Sequence, residues 1–367
     1  MNESCELQVV MRHLTNLSQA VSVENIEVSA RRTLIDDYFS LTSQVGLPSN
    51  GQSNAKMAVQ NHAESPGEII TDTMKQTMIQ TITPMKVNAA GVVGYWFVPH
   101  EYDGKNRLLY IHGGSWMSGS VKGWGAFMGR LATATGCAVL FVEYALMPEQ
   151  PFPAGLNDCL TAYHWLRNNT PNESQFFENQ PNESQFFENQ PFKSKFDEIE
   201  ATESATAHKI FMAGDSAGGN LALACLLSLK DQGRDLPDAA LVISPCTDLT
   251  ASGESMTGRK HLDPIINPAA ISPLAQAYVQ GVQDHAYPLV SPLFGVLSGL
   301  PPLMIQTGEA EVLLDDSRRF AQKAQREGVD VTLDTWPHMP HVFQGFAPFL
   351  PQANQAIDKI KQFFSRF

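Results

Sequence analysis

Residues 209–224 read Lys209-Ile210-Phe211-Met212-Ala213-Gly214-Asp215-Ser216-Ala217-Gly218-Gly219-Asn220-Leu221-Ala222-Leu223-Ala224. An apolar run of strand length enters Gly-x-Ser-x-Gly, and an Ala- and Leu-rich run of helix formers leaves it. Between a strand and a helix, this pattern makes a turn so tight that the positions two before and two after the serine need minimal side chains. The serine is left strained and exposed at the helix start. The helix end places N–H groups and positive dipole where a developing oxyanion would sit. An ordinary Gly-rich turn also satisfies the bare spacing, so the flanking elements give the pattern its chemical meaning.

Working outward, short apolar runs recur at Val92–Val98, Leu108–Ile111, Val139–Glu143, Leu241–Ile243, Leu303–Thr307 and Val331–Trp336. Helical stretches separate them at about 122–135, 155–168, 217–231, 313–327 and 351–365. Solidly apolar strands alternating with helices predict an α/β fold with a mostly parallel central sheet and helices on both faces. The first strands have no helix between them, which predicts an antiparallel start. His112-Gly113-Gly114-Ser115-Trp116 follows the Leu108–Ile111 strand. Consecutive glycines let the backbone approach a ligand, and their N–H groups, with that of Ala217, suit an oxyanion hole. His112 reads as a loop-shaping residue.

Three segments stand outside the alternation. Residues 1–60 show helical periodicity, with Leu7, Val10, Met11 and Leu14 on one face and Leu34, Tyr38 and Leu41 on another. Residues 249–285 are helical, polar and punctuated by Gly and Pro; with 1–60 they predict a cap over the C-terminal edge of the sheet, where open α/β sheets bind ligands. The remaining 61–367 form the core. Residues 169–207 interrupt it with the decapeptide PNESQFFENQ at 171–180 and again at 181–190, in a segment with eight acidic residues against two lysines. Two copies do not make a solenoid, and the segment reads as a surface loop expanded by duplication. The pairs Phe176–Phe177 and Phe186–Phe187 are its only features suited to holding a partner.

The chain has 367 residues and a formal charge of −13. Such acidity repels phosphate backbones and anionic membrane surfaces, so no nucleic-acid partner is expected. No apolar stretch of about 18 residues predicts a membrane span. Cys5, Cys137, Cys159, Cys225 and Cys246 contain no CxxC pair, and no metal site is expected from them. Cys137 and Cys225 read as reduced core thiols. With no basic and apolar leader at the start of the sequence, the expected location is the cytoplasm. The last strand, Val331–Trp336, is a candidate edge for a homodimer.

A serine nucleophile needs an imidazole base and a carboxylate that fixes the imidazole's tautomer, in the chain order Ser, acid, His. After Leu303–Thr307 come Glu309, Glu311, Asp315 and Asp316; after Val331–Trp336 come His338 and His341. His261 and His285 lie in the cap segment. Spacing does not separate Glu309 from Glu311, and Asp315 and Asp316 read as helix-start acids favoured by the helix dipole.

Taken together, IHGGSW, EYALMPEQPFPA, GDSAGGNLALA, SPCTDL, YPLVSPLFG, LSGLPPLMIQTGEAEVLLDD and MPHVFQGF resemble the hormone-sensitive-lipase-like carboxylesterases of the α/β-hydrolase superfamily, in their microbial branch. The resemblance covers about residues 75–367 apart from 169–207. It implies an α/β-hydrolase fold with a helical cap, Ser216 as nucleophile, His341 as base and Glu311 as acid. In that family the acid is usually an Asp followed by Pro-Leu; here Glu311-Val312-Leu313 holds the place. Gly113, Gly114 and Ala217 take the oxyanion role. The third glycine usual in the family is Ser115 here, and Ala145 stands where the family often has Arg. The implied activity is hydrolysis of short- to medium-chain acyl esters through an acyl-enzyme, with a small-molecule substrate and no cofactor. Two alternatives remain at this point: a lactone hydrolase using the same triad, and a non-catalytic ligand-binding protein on the same fold.

Overall fold

The computed structural model describes residues 4–21, 27–43, 82–102, 104–171, 208–281 and 284–367. Its centre is an eight-stranded sheet of β1 (Met85–Ala89), β2 (Val92–Phe97), β3 (Arg107–Ile111), β4 (Ala138–Glu143), β5 (Ile210–Asp215), β6 (Ala239–Ile243), β7 (Leu303–Gly308) and β8 (Val331–Trp336), ordered β1-β2-β4-β3-β5-β6-β7-β8. The predicted strands are all present. β1 was not anticipated, because Met85-Lys86-Val87-Asn88-Ala89 is short and polar at alternate positions. It pairs antiparallel with β2, and β2 pairs antiparallel with β4; from β4 to β8 every pairing is parallel.

The central parallel strands are largely apolar because both faces are covered, while the edge strand β8 (Val-Thr-Leu-Asp-Thr-Trp) is only partly buried; the central ones still alternate. Leu108, Tyr110, Val139, Phe141, Phe211, Ala213 and Leu241 face one core. Leu109, Ile111, Leu140, Val142, Met212 and Val242 face the other. On the first face pack α3 (Val121–Thr135) and α9 (Pro351–Phe364), and on the second α4 (Ala154–Asn168), α5 (Ser216–Asp231) and α8 (Leu314–Arg326). The chain moves outward from β3 to β4 and then returns past β3 to β5, so the strand order reverses between β3 and β5. The loops that leave the C-terminal ends of β3 and β5 therefore diverge and open a crevice. They carry His112–Gly119 and Ser216.

The N-terminal helices α1 (Cys5–Val21) and α2 (Val28–Ser43) lie on the first face. Leu7, Val10 and Leu14 of α1 are buried as their spacing predicts, while the Tyr38 and Leu41 side chains fall outside the described residues. Arg32 of α2 donates to the carbonyls of Met117 (2.6 Å) and Met147 (3.0 Å) and pairs with Glu149, fastening α2 to two loops at the C-terminal edge. The 249–285 segment is less helical than expected. It holds only a single turn, α6 (Ser255–Gly258), and one short helix, α7 (Pro268–Tyr278), within turns. Ser18 of α1 donates to the Ile265 carbonyl at 3.4 Å, so the N-terminal helices and the 249–285 segment meet.

The duplicated decapeptides and the two Phe pairs lie outside the described residues, apart from Pro171. Both flanks are ordered at the N-terminal ends of the strands. Arg107, at the start of β3 and 2% exposed, donates to the carbonyls of Leu166 and Asn169, at 2.6 Å each, where α4 ends. These bonds satisfy carbonyls that a helix C-terminus leaves without partners. Replacing the guanidinium removes two charge-assisted bonds inside the protein. Arg107→Ala is expected to lower unfolding stability by about 2–4 kcal/mol in a urea titration. The turnover of the folded fraction is expected to be unchanged, since Arg107 lies at the edge of the sheet away from Ser216.

Candidate active site

Ser216 follows β5 directly and begins α5 with φ +53°, a left-handed backbone that costs a non-glycine residue energy. The glycines around it are required by contact. A Cβ on Gly214 would strike the Gly218 carbonyl oxygen, and one on Gly218 would strike the carbonyl oxygens of Ile111 and His112. The nucleophile turn and the β3 loop thus touch backbone to backbone. Ser115, Trp116, Ser244, His338 and Val342 share the positive φ, all in loops on this edge of the sheet.

His341 Nε2 lies 2.9 Å from Ser216 Oγ, and His341 Nδ1 lies 2.8 Å from Glu311 Oε2. A neutral imidazole meets both contacts by donating Nδ1–H to the carboxylate and accepting the serine hydroxyl at Nε2. Glu311 is fully buried, and its other oxygen accepts from Ser244 Oγ (2.7 Å), Thr307 Oγ1 (3.3 Å) and the Gly308 N–H. Its charge is compensated on every side, as a buried carboxylate requires. The acid and base loops are stitched by Glu309 N–H to the Trp336 carbonyl (2.9 Å) and Ala310 N–H to the Met339 carbonyl (3.1 Å). Burial lowers the basicity of His341, but the hydrogen bond and charge of Glu311, then the charges of Asp263 and Asp215, outweigh it and leave the imidazole above its ordinary value.

The competing candidates fall elsewhere. His338 and His261 are exposed, and Glu309 pairs with Arg318 at 3.6 Å. Asp315 accepts from the Ser255 N–H (2.8 Å), and Asp316 is not a surface acid at all. It is fully buried, accepts from the N–H groups of Thr247 (2.6 Å) and Asp248 (2.9 Å), and is pushed by burial up to about 7. It anchors the loop that carries Ser244. Ala145, at the position where an arginine was expected, donates its N–H to Asp158 at 2.8 Å.

The oxyanion donors need one correction. The N–H of Gly113 is already committed to Asp215 Oδ1 at 3.0 Å. The N–H groups of Gly114 and Ser115, next along the loop, have no acceptor among the described residues, and that of Ala217 lies in the first turn of α5, where a helix supplies none. His112 shapes the loop as anticipated. Its buried ring stacks between Phe141 (5.2 Å) and Tyr144 (4.4 Å), its Nδ1 lies 2.7 Å from the Gly113 carbonyl, and burial lowers it to about 4, so it is neutral.

Sequence reasoning missed Ser244 and Asp215 as parts of the site. SPCTDL marked the first only as a matching stretch, and the second occupied the variable position of Gly-x-Ser-x-Gly. Asp215 Oδ1 also accepts from Tyr110 Oη (2.8 Å) and Trp124 Nε1 (3.0 Å).

Comparison with known proteins agrees with this geometry. Residues 108–345 match a family model described as alpha/beta hydrolase fold. An acetyl-hydrolase of Streptomyces hygroscopicus is 37% identical over 263 residues, covering 72% of this chain and 76% of that protein. An esterase of Acinetobacter venetianus is 31% identical over 283 residues, covering 77% and 82%. The crystal structure of an esterase from the bacterial hormone-sensitive lipase family superposes with a TM-score of 0.75 at 30% identity, covering 100% of this chain and 99% of that one. The chain belongs to the α/β-hydrolase family, in its hormone-sensitive-lipase-like branch, and is a carboxylic ester hydrolase.

Burial pushes Asp215 up to about 6 from its ordinary 3.8, against the opposing hydrogen bonds of Tyr110, Gly113 and Trp124. The folded protein therefore holds a proton at Asp215 that the unfolded chain has lost, and stability falls as pH rises from about 4 through 6. Asp215→Asn keeps an oxygen for the three donors and removes the ionisation. Urea unfolding at pH 4 to 8 is expected to show the variant gaining on the wild type by up to about 3 kcal/mol as pH rises. A difference independent of pH would show that Asp215 ionises normally in the folded state.

Proposed function

We propose that this chain hydrolyses short- to medium-chain acyl esters through an acyl-enzyme on Ser216. The observation that carries the proposal is the continuous relay Ser216–His341–Glu311 beside N–H groups that have no acceptor among the described residues. Ser216 Oγ attacks the ester carbonyl carbon while Nε2 of His341 takes its proton. The resulting oxyanion is held by the N–H groups of Ala217, Gly114 and Ser115. Glu311 stabilises the imidazolium, which then protonates the departing alkoxide. Water attacks the acyl-enzyme with the same base, and Ser216 is regenerated as the acid leaves.

The short-acyl reading rests on the wall beside the oxyanion loop. Trp116 stacks on Tyr278 of α7 at 4.4 Å and both are buried, filling space next to Ser115. The name of the Streptomyces relative, an acetyl-hydrolase, points the same way. No helix among the described residues is long and apolar enough to cross a membrane, and a cytoplasmic location remains part of the proposal. So does pairing through β8, whose outer side ends the sheet.

Ser216→Ala is expected to lower kcat on p-nitrophenyl butyrate roughly 10⁶-fold, to abolish labelling by a fluorophosphonate and to leave the unfolding midpoint in place. Retention of most activity would remove Ser216 from the mechanism. A series of p-nitrophenyl esters from acetate to decanoate, run beside a set of lactones, tests the substrate: kcat/KM should be highest for the short acyclic esters. The base acts only when neutral, and its protonation persists to higher pH than in a free imidazole. The rate should therefore be lost as pH falls through a midpoint above 6.5, the imidazole's ordinary value.

A further inference from the structure

One carboxylate beside the relay has no part in the mechanism above. Asp263 lies in the cap segment, between α6 and α7, and is half-buried. Its Oδ1 accepts from the N–H groups of Ile265 and Ile266 (2.9 Å each), which closes a tight turn where the cap meets α1 at Ser18. Its Oδ2 reaches across to the acid loop and accepts the N–H of Val312 at 2.9 Å. Val312 is bonded directly to Glu311, so the cap grips the acid loop one residue from the acid. Asp263 also lines an open pocket of about 210 Å³ with Lys260, Ile265 and Ile266.

We propose that Asp263 is a positioning residue for the acid–base pair: it fastens the acid loop at Val312 and adds a carboxylate, beyond those of Glu311 and Asp215, to the electrostatic neighbourhood of His341. The proposal rests on the reading of His341 as the base. Three carboxylates face that imidazole, each from a different element. Glu311 binds Nδ1 from the loop after β7, Asp215 ends β5, and Asp263 descends from the cap. Lys260 is the cation on the cavity wall beside Asp263. The first two belong to the sheet and its loops, whereas Asp263 reaches the acid loop from the 249–285 segment. The influence runs in both directions: burial raises the Asp263 carboxyl, and the charge of His341 is the first of the influences that hold it down.

The test compares kcat/KM against pH for wild type, Asp263→Asn and Asp263→Glu on p-nitrophenyl butyrate. Removing the negative charge makes the imidazolium less favourable. The acid limb of Asp263→Asn should move to lower pH by a few tenths to about one unit, and 1 M salt should shrink that shift because the group is half-exposed. Asp263→Glu restores the charge with a different reach and should return the limb toward the wild-type position, even where kcat stays low. A purely structural clasp would lower kcat in both variants and move neither limb. An Asp263→Asn limb that coincides with wild type overturns the proposal. His341→Ala is measured alongside: loss of activity there keeps the base assignment whatever Asp263 does, whereas retained activity sinks the base assignment itself.

Discussion

A single buried oxygen, Asp215 Oδ1, organises the catalytic edge of this protein. It collects Tyr110 Oη from β3, the Gly113 N–H from the loop that follows, and Trp124 Nε1 from α3. Trp124 in turn packs on Phe39 of α2, with ring centroids 4.6 Å apart. Nucleophile turn, oxyanion loop, core helix and cap helix are thereby referred to one point adjacent to Ser216. Three donors converging on a fixed acceptor give direction as well as energy, and direction is what a strained serine needs if its hydroxyl is to stay aimed. This also makes the Gly113 N–H part of the scaffold, and the oxyanion role proposed above falls to its neighbours in the loop.

The second half of the site is built the same way around Glu311. Ser244, Thr307 and Gly308 hold one oxygen of the carboxylate while His341 holds the other. Ser244 Oγ also accepts the N–H of Val342, 3.3 Å away, so the acid and base loops share a fastening from β6. Gly308 has no room for a side chain because the Met339 carbonyl occupies it. The longer stem of glutamate, compared with aspartate, is held in one orientation here by donors on several elements.

The fold was legible in the sequence because its strands are short, mostly apolar runs alternating with helices, a pattern that burial on both faces imposes. β1 escaped because a half-exposed edge strand keeps polar residues at alternate positions. Ser216 was legible because a tight turn constrains its immediate neighbours, and that constraint is local. The acid and base were not, from spacing alone: four carboxylates crowd residues 309–316, and tertiary contact selects among them. Only the resemblance to known esterases separated Glu311 from Glu309. Ser244 and Asp263 act across 67 and 49 residues of chain, on Glu311 and Val312, and nothing local marks them. Asp316 is the helix-start acid it was read as, but its burial was not legible, since a helix-start acid in solvent and one buried under a loop have the same sequence.

The junctions that flank the duplicated acidic decapeptides have a practical consequence. The duplication is inserted between α4 and β5, and the described residues on either side lie at the end of the sheet remote from Ser216. The same junction offers a site for grafting a foreign peptide or affinity handle while leaving the chemistry alone.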